Sequence, residues 1–473
     1  MGFSSATFLF LFLPVVLTGY FVLRGTRARN LFLLAGSLLF YSWGETIYLL
    51  VLLLSIACNT FFGLRISGSS DNTKRLYLGA AVAINLLLLG YFKYANFITD
   101  NVNLALSIIH LGPIDLAPVH LPLGISFFTF QAISYIVDIY RGDAQVQKRY
   151  SSVALYIALF PQLIAGPIVR YASIEKQLSE RTVNPTAVAE GIRRFIIGLA
   201  KKVLIANAVG DVADDIFDHS PGDLSPALAW LGIVCYTLQI YFDFSGYSDM
   251  AIGLGRMLGF QFPENFRHPY ISTSVQEFWR RWHISLSSWF RDYVYIPLGG
   301  NRGGSWRVYA NLVIVFFLCG LWHGASWTFV IWGLYHGLFL VVERLGFAQL
   351  LRRLPKTARH VYLLLVVMFG WVLFRSDNID YAFGYIGVML GISEQSDTDG
   401  YIMLYLNLKV IAAIAAGVVF SMPAMHWTRQ RWQRIAGSAG GSIMQHAALI
   451  ALFAGAATMI AAQTHNPFIY FRF

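Results

Sequence analysis

Apolar runs of 13 to 21 residues recur along the whole chain, most of them long enough to cross hydrocarbon as a helix that satisfies its own backbone hydrogen bonds. They lie at 7–23, 31–43, 47–64, 76–92, 122–140, 190–208, 226–242, 308–322, 326–343, 360–375, 402–422 and 443–462. The chain of 473 residues is 56% hydrophobic and only 13% charged, with a mean hydropathy of +0.56. Soluble domains carry roughly 25% charged residues, so a water-soluble fold is excluded. The expectation is an all-α polytopic membrane protein, residues 1–473 forming one membrane domain with about 11 to 13 crossings.

The net charge of +10 does not mark a nucleic-acid binder, because the basic residues sit between apolar runs and not on one wetted face. They fit the positive-inside rule. Met1 to Thr7 carries no charge, which argues against a signal peptide, and Arg24, Arg27 and Arg29 follow the first run. This places the amino terminus outside the cytoplasm. Arg65, Lys74 and Arg75, then Arg141, Lys148 and Arg149, then the stretches Arg256–Arg307, Arg344–Arg359 and Arg429–Arg434 fall on the inner side. Acidic loops, Asp211 to Asp223 and Glu394 to Asp399, fall outside, and an even number of crossings brings the carboxyl terminus out as well. Two stretches, 96–110 and 270–295, are too mixed to cross and are expected to lie in or near the interface. Cys58, Cys235 and Cys319 are isolated in apolar runs and read as packing residues, and no cluster suggests a metal.

Titratable groups inside apolar runs mark candidate chemistry, because burying them in a bilayer is costly. His323 stands between two apolar runs in CGLWHGAS, flanked by Gly320 and Gly324, which are small enough to let helices approach or break and to leave room beside the imidazole. It is either a general base or a neutral histidine bonded within the bundle. His336 reads as structural polar glue. A second cluster comprises YFDFSGYSDMAIGLG at 241–255, ENFRHPYIS at 264–272 and EFWRRWHISLSSWFRDYVYIPLGGNR at 277–302. Arg280, Arg281, Arg291 and Arg302 suit the phosphates of an anionic donor, and Trp279, Trp282 or Trp289 suits stacking on a base. Asp243 and Asp249 are general bases or buried partners of the arginines. Donor- or substrate-binding residues are therefore expected among Trp282, Arg280, Arg281, Asp243, Asp249, Trp322 and Asn265.

These residues resemble the bacterial membrane-bound O-acyltransferases, in particular the alginate O-acetyltransferase branch. The likeness rests on 241–302 and LWHG at 321–324. It extends to MGFSSATFLFLFLPVVL at 1–17, YFKYANF at 91–97, LPLGISFFTFQAISYIVDIYRGD at 121–143 and FPQLIAGPIVR at 160–170. It implies a multi-helix transferase of the bacterial cytoplasmic membrane, built around a central funnel. Such an enzyme takes an acyl thioester from the cytoplasm, most simply acetyl-CoA, and binds no permanent cofactor. The acceptor would be an extracytoplasmic polysaccharide, alginate-like or cellulose-like, with peptidoglycan second. A periplasmic serine-hydrolase-like (SGNH) acetyltransferase would complete delivery. The family's signature histidine falls on His323 and its second histidine on His283, which would position the donor, polarise the carbonyl or hold the inner helix. An imidazole of ordinary pKa near 6.5 suits proton transfer at neutrality. A transporter or channel using His323, Asp243 and Asp249, or a scaffold for polymer export, are the readings of other classes.

The sequence ends QTHNPFIYFRF, and 463–473 is expected to be an extracytoplasmic aromatic tail. Phe468 to Phe471 resembles the F-x-Y-F ending of the small accessory subunit beside the related D-alanyl transferase. Tyr470 is then either an acyl carrier that enters the pore or an interfacial anchor. A carrier phenol predicts that Tyr470→Phe abolishes whole-cell polymer acetylation while the protein still reaches the membrane. Unchanged acetylation leaves only the anchor.

Overall fold

The computed structural model describes residues 1–392, 401–423 and 439–462, and Tyr470 and the 463–473 tail lie outside the described residues. The described chain is helical, with no strand among the described residues. All twelve apolar segments are helical wholly or in their greater part. Among the described residues, seven helices are long and apolar enough to cross a membrane: Leu49–Ser67, Asp71–Ile108, Pro226–Met257, Ser305–His323, Trp327–Arg353, Lys356–Arg375 and Ser442–Ala462. Phe8–Val22 and Leu408–Ser421 are shorter apolar helices. The protein is an all-α multi-pass membrane protein.

Two compact units are distinguished, residues 1–192 with 251–263, and residues 193–250 with 264 onward. Two of the three changeovers fall inside the helices Pro185–Ala200 and Pro226–Met257, and the third falls in the loop at 263–264. The first unit is pinned by buried polar contacts among apolar helices. Asn59 and Asn85 exchange amide hydrogen bonds of 3.1 and 2.8 Å, and Lys93 donates to Ser126 Oγ at 3.3 Å. Unsatisfied amides are costly in lipid, so such reciprocal pairs fix helix register.

In the same unit, Asp71–Ile108 is one helix of 38 residues, where separate crossing and interfacial segments were expected. No proline or glycine interrupts it after Gly90, so the helical ladder continues. At 1.5 Å per residue it is about 57 Å long, nearly twice a hydrocarbon core. Its far end holds the following loop through asparagines. Asn103 clamps Ile114, donating to its carbonyl at 3.1 Å and accepting its N–H at 2.7 Å. Asn96 does the same to Val119, both at 2.9 Å.

The second unit holds the histidine motifs. Its helix pair Ser305–His323 and Trp327–Val342 approaches closely at glycines. A Cβ on Gly320 would overlap the Phe329 carbonyl, and one on Gly333 the Phe316 carbonyl. This small-residue seam closes a tight hairpin whose corner is Gly324–Ser326, and the Ser326 hydroxyl caps the second helix by accepting the Thr328 N–H at 3.3 Å. His323 is thus fixed as the last residue of a rigid helix. The segment 270–295 is not a surface helix. It forms Val275–Arg281 and Ile284–Phe290, with Phe278, Trp279, Trp282, Trp289 and Phe290 all buried.

Backbone carbonyls cannot yield as flexible side chains do, so Gly320→Ala should destabilise the protein by about 1 to 3 kcal/mol. Gly90→Ala, in a helix with open space around it, should be neutral or stabilising by up to about 1 kcal/mol. Thermal unfolding in mild detergent checks both, and equal effects would contradict the seam.

Candidate active site

Local sequence places His283 under strain. It lies between the two short helices at φ +43°, in the left-handed region that non-glycine residues rarely occupy. Asn265 holds it there. The Asn265 amide nitrogen donates to Ser248 Oγ at 3.0 Å. Its oxygen accepts the Ser285 N–H at 3.2 Å and the Ser285 hydroxyl at 2.9 Å. A backbone N–H only donates, so the atom facing Ser285 is the oxygen, and His283 Nδ1, 3.1 Å from that same oxygen, must carry the proton. Nε2 is left as an acceptor, buried and without a hydrogen-bond partner among the described residues. Burial also pushes the His283 imidazole down to about 3, well below its ordinary value, which favours the neutral ring.

His323 faces it. The two rings have centroids 6.4 Å apart, and Trp322 flanks both, 6.0 Å from His283 and 5.0 Å from His323. Trp332 and Phe374 pack edge-on against His323 at 5.0 and 5.2 Å, and Phe244 against His283 at 4.6 Å. His283 is 0% and His323 4% exposed. The centre is therefore a pair of imidazoles in an aromatic cage, where bulk water competes little for a proton.

The structure brings Asn265, His283, Trp322 and His323 together and distributes the other expected residues around them. Trp282 is enclosed by Trp371, Phe266 and Phe278, at 4.9, 5.0 and 5.5 Å, so it is a wall of the centre and not a free stacking platform. Asp243 pairs with Lys202 at 2.7 Å, both nearly inaccessible. Asp249 is held by Lys201 at 2.6 Å and Arg194 at 2.8 Å, and Arg194 also binds Glu264. Both carboxylates are thus ion-pair partners, which leaves them poor bases, and their main partners include lysines that sequence reasoning did not consider. Arg281 binds Glu277 at 2.9 Å and the Arg267 carbonyl at 3.1 Å, and this arginine holds the Glu277 carboxyl below its ordinary value together with the Thr273 N–H. Arg280 lines an apolar cavity of about 440 Å³ together with Trp279, Phe316 and Cys319.

His336 reads from the sequence as structural polar glue. It was expected to hydrogen-bond within the bundle, yet neither ring nitrogen has a hydrogen-bond partner among the described residues. It is fully buried, edge-on to Trp279 and Trp332 at 5.2 Å each, and the two indole nitrogens likewise have no hydrogen-bond partner among the described residues. Trp332 touches both His336 and His323. The signal was present as the four-residue spacing of Trp332 and His336, which puts both on one helix face.

Comparison with known proteins identifies the family. Residues 144–379 match the sequence profile of MBOAT, the membrane-bound O-acyltransferase family. The chain is 41% identical to a probable alginate O-acetylase of Azotobacter vinelandii over all of both chains. It is 47% identical to one from Pseudomonas aeruginosa over 81% of this chain and 73% of that one. It is also 38% identical to a peptidoglycan O-acetyltransferase of Helicobacter pylori, over 83% of this chain and 80% of the other. The chain belongs to the membrane-bound O-acyltransferase family and is an O-acyltransferase.

Because His283 is neutral, its loss should lower rate without moving the pH midpoint near neutrality. His283→Gln is expected to reduce transfer roughly 10- to 100-fold at every pH from 5 to 8, with the acid limb of the profile in place, since positioning groups cost factors of that order. An acid limb that shifts or vanishes would assign the titrating proton to His283.

Proposed function

We propose that the protein moves acetyl groups from cytoplasmic acetyl-CoA to hydroxyls of an extracytoplasmic polysaccharide, working in the bacterial cytoplasmic membrane with both termini outside. An alginate-like or cellulose-like exopolymer is the first acceptor, because two of the relatives above are named as alginate O-acetylases. Peptidoglycan is the second reading, favoured by the relative so named. A periplasmic SGNH-type acetyltransferase would take the acetyl group onward to the sugar.

The observation that carries this reading is the facing pair, His323 and His283, 6.4 Å apart between ring centroids in a nearly closed aromatic cage. His323 takes the proton from the acceptor hydroxyl as its oxygen attacks the thioester carbonyl carbon. The carbon–oxygen bond forms, the carbonyl becomes an oxyanion, and its collapse breaks the carbon–sulfur bond. The departing thiolate receives the proton from the His323 imidazolium, so the enzyme returns to its starting state. His283 has a narrower role than sequence allows. With Nδ1–H committed to Asn265, its free nitrogen only accepts, so it does not polarise the carbonyl by donation. It orients a donor group, either the attacking hydroxyl or an amide N–H of the thioester's arm. Exclusion of water protects the thioester from hydrolysis.

A proton or solute path is the competing class, and the ion-paired state of Asp243 and Asp249 speaks against them as relay groups. The test is labelled acetyl-CoA with membranes containing wild-type protein or His323→Ala. Wild type should release CoA and label an acceptor, and the variant should fall by roughly 10²- to 10⁴-fold. Polymer secretion should continue in cells carrying the variant. Equal labelling in both membranes would end the proposal.

A further inference from the structure

The second unit contains a cavity that the acyl-transfer centre does not use. It has a volume of about 500 Å³ and is lined by Thr273, Ser274, Gln276, Asn301 and Gln349 with three arginines, Arg344, Arg352 and Arg359. No guanidinium among these three has an ion pair or side-chain hydrogen bond among the described residues, and Arg359 Nε is buried without a hydrogen-bond partner there. The only acid in the lining, Glu343, is already committed. Its carboxylate accepts the Val275 N–H at 2.7 Å, the Gln276 N–H at 3.0 Å and the Tyr362 hydroxyl at 3.3 Å.

Three arginines, two of them exposed, thus line one concave space whose single carboxylate is bonded to the Val275 and Gln276 backbone and the Tyr362 hydroxyl. Like charges held together repel unless an anion joins them, and arginine forks match phosphate oxygens in geometry. Gly346 at φ +130° breaks the helix between Glu343 and Ala348, a conformation a side chain would strain, and so lets Arg344 and Arg352 line the same cavity. Gln276, Leu312 and Leu340 line both this cavity and the apolar one beside Trp279. A polar chamber and an apolar chamber therefore share a wall, which suits a ligand with a charged head and a lean arm.

We propose that the Arg344–Arg352–Arg359 cavity is a binding site for an anionic phosphate ester. Two sources carry that chemistry, the nucleotide of a soluble thioester donor and the headgroup of an anionic phospholipid. The site rests on the cavity alone, and only the choice of nucleotide as occupant rests on the acetyl-transfer reading. Detergent-purified protein is titrated with 3′-phospho-ADP, which has the charged head and no arm. The protein is separately reconstituted into nanodiscs of phosphatidylcholine with and without phosphatidylglycerol, and retained lipid is counted by mass spectrometry.

Arg352→Gln and Arg359→Gln should each weaken nucleotide binding at least tenfold, or else abolish selective retention of phosphatidylglycerol. The first result assigns the nucleotide, the second the lipid. Arg65→Gln removes a positive charge elsewhere and should change neither. His323→Ala should bind both probes as wild type does, so a failed acetyl-transfer reading and a failed site give different patterns. Binding of both probes unchanged by the two arginine variants, each monodisperse and folded, overturns the proposal.

Discussion

The bundle depends on one constraint: an imidazole buried among aromatic rings has its proton state decided by the protein, because burial leaves bulk water little part in it. Asn265 makes that decision for His283. Its oxygen is fixed by the backbone of Ser285 and its nitrogen by Ser248, so the tautomer of the histidine follows from the geometry of a side chain eighteen residues away. The strain at His283 and the closure of Trp322, Trp332 and Phe374 over His323 follow from keeping this pair dry.

The glycine seam gives the centre its rigidity. Gly320 and Gly333 let two spanning helices meet backbone to backbone, and His323 rides on the end of one while Trp332 and His336 ride on the other. A side chain at the seam would spread the helices and move the imidazole relative to His283. Preorganisation of this kind matters more for proton transfer than any single contact, because the reacting groups must be placed within a fraction of an ångström.

Much of this was legible in the chain itself. Runs of apolar residues sufficed for the fold class, since hydrocarbon admits so few backbone solutions. His323 stood out because a titratable group in an apolar run needs a reason, and His283 only through the family resemblance. Other features were not legible, for physical reasons. Whether Asp243 and Asp249 are bases or ion-pair partners depends on Lys201, Lys202 and Arg194, which come from a different helix. The continuity of Asp71–Ile108 was masked by Asn96 and Asn103, whose partners lie on the following loop, so their polarity looked interfacial. The state of His336 depends on indoles packed edge-on to it, which spacing alone cannot orient.

The central claim is that a thioester from one face and an alcohol from the other meet at His323. Sealed inverted membrane vesicles, loaded inside with acceptor polymer and any periplasmic transferase, offer the direct measurement when labelled acetyl-CoA is added outside. The account predicts labelled polymer in the lumen and an equal amount of free CoA outside. Labelled polymer that forms only when the donor is placed in the lumen would contradict it.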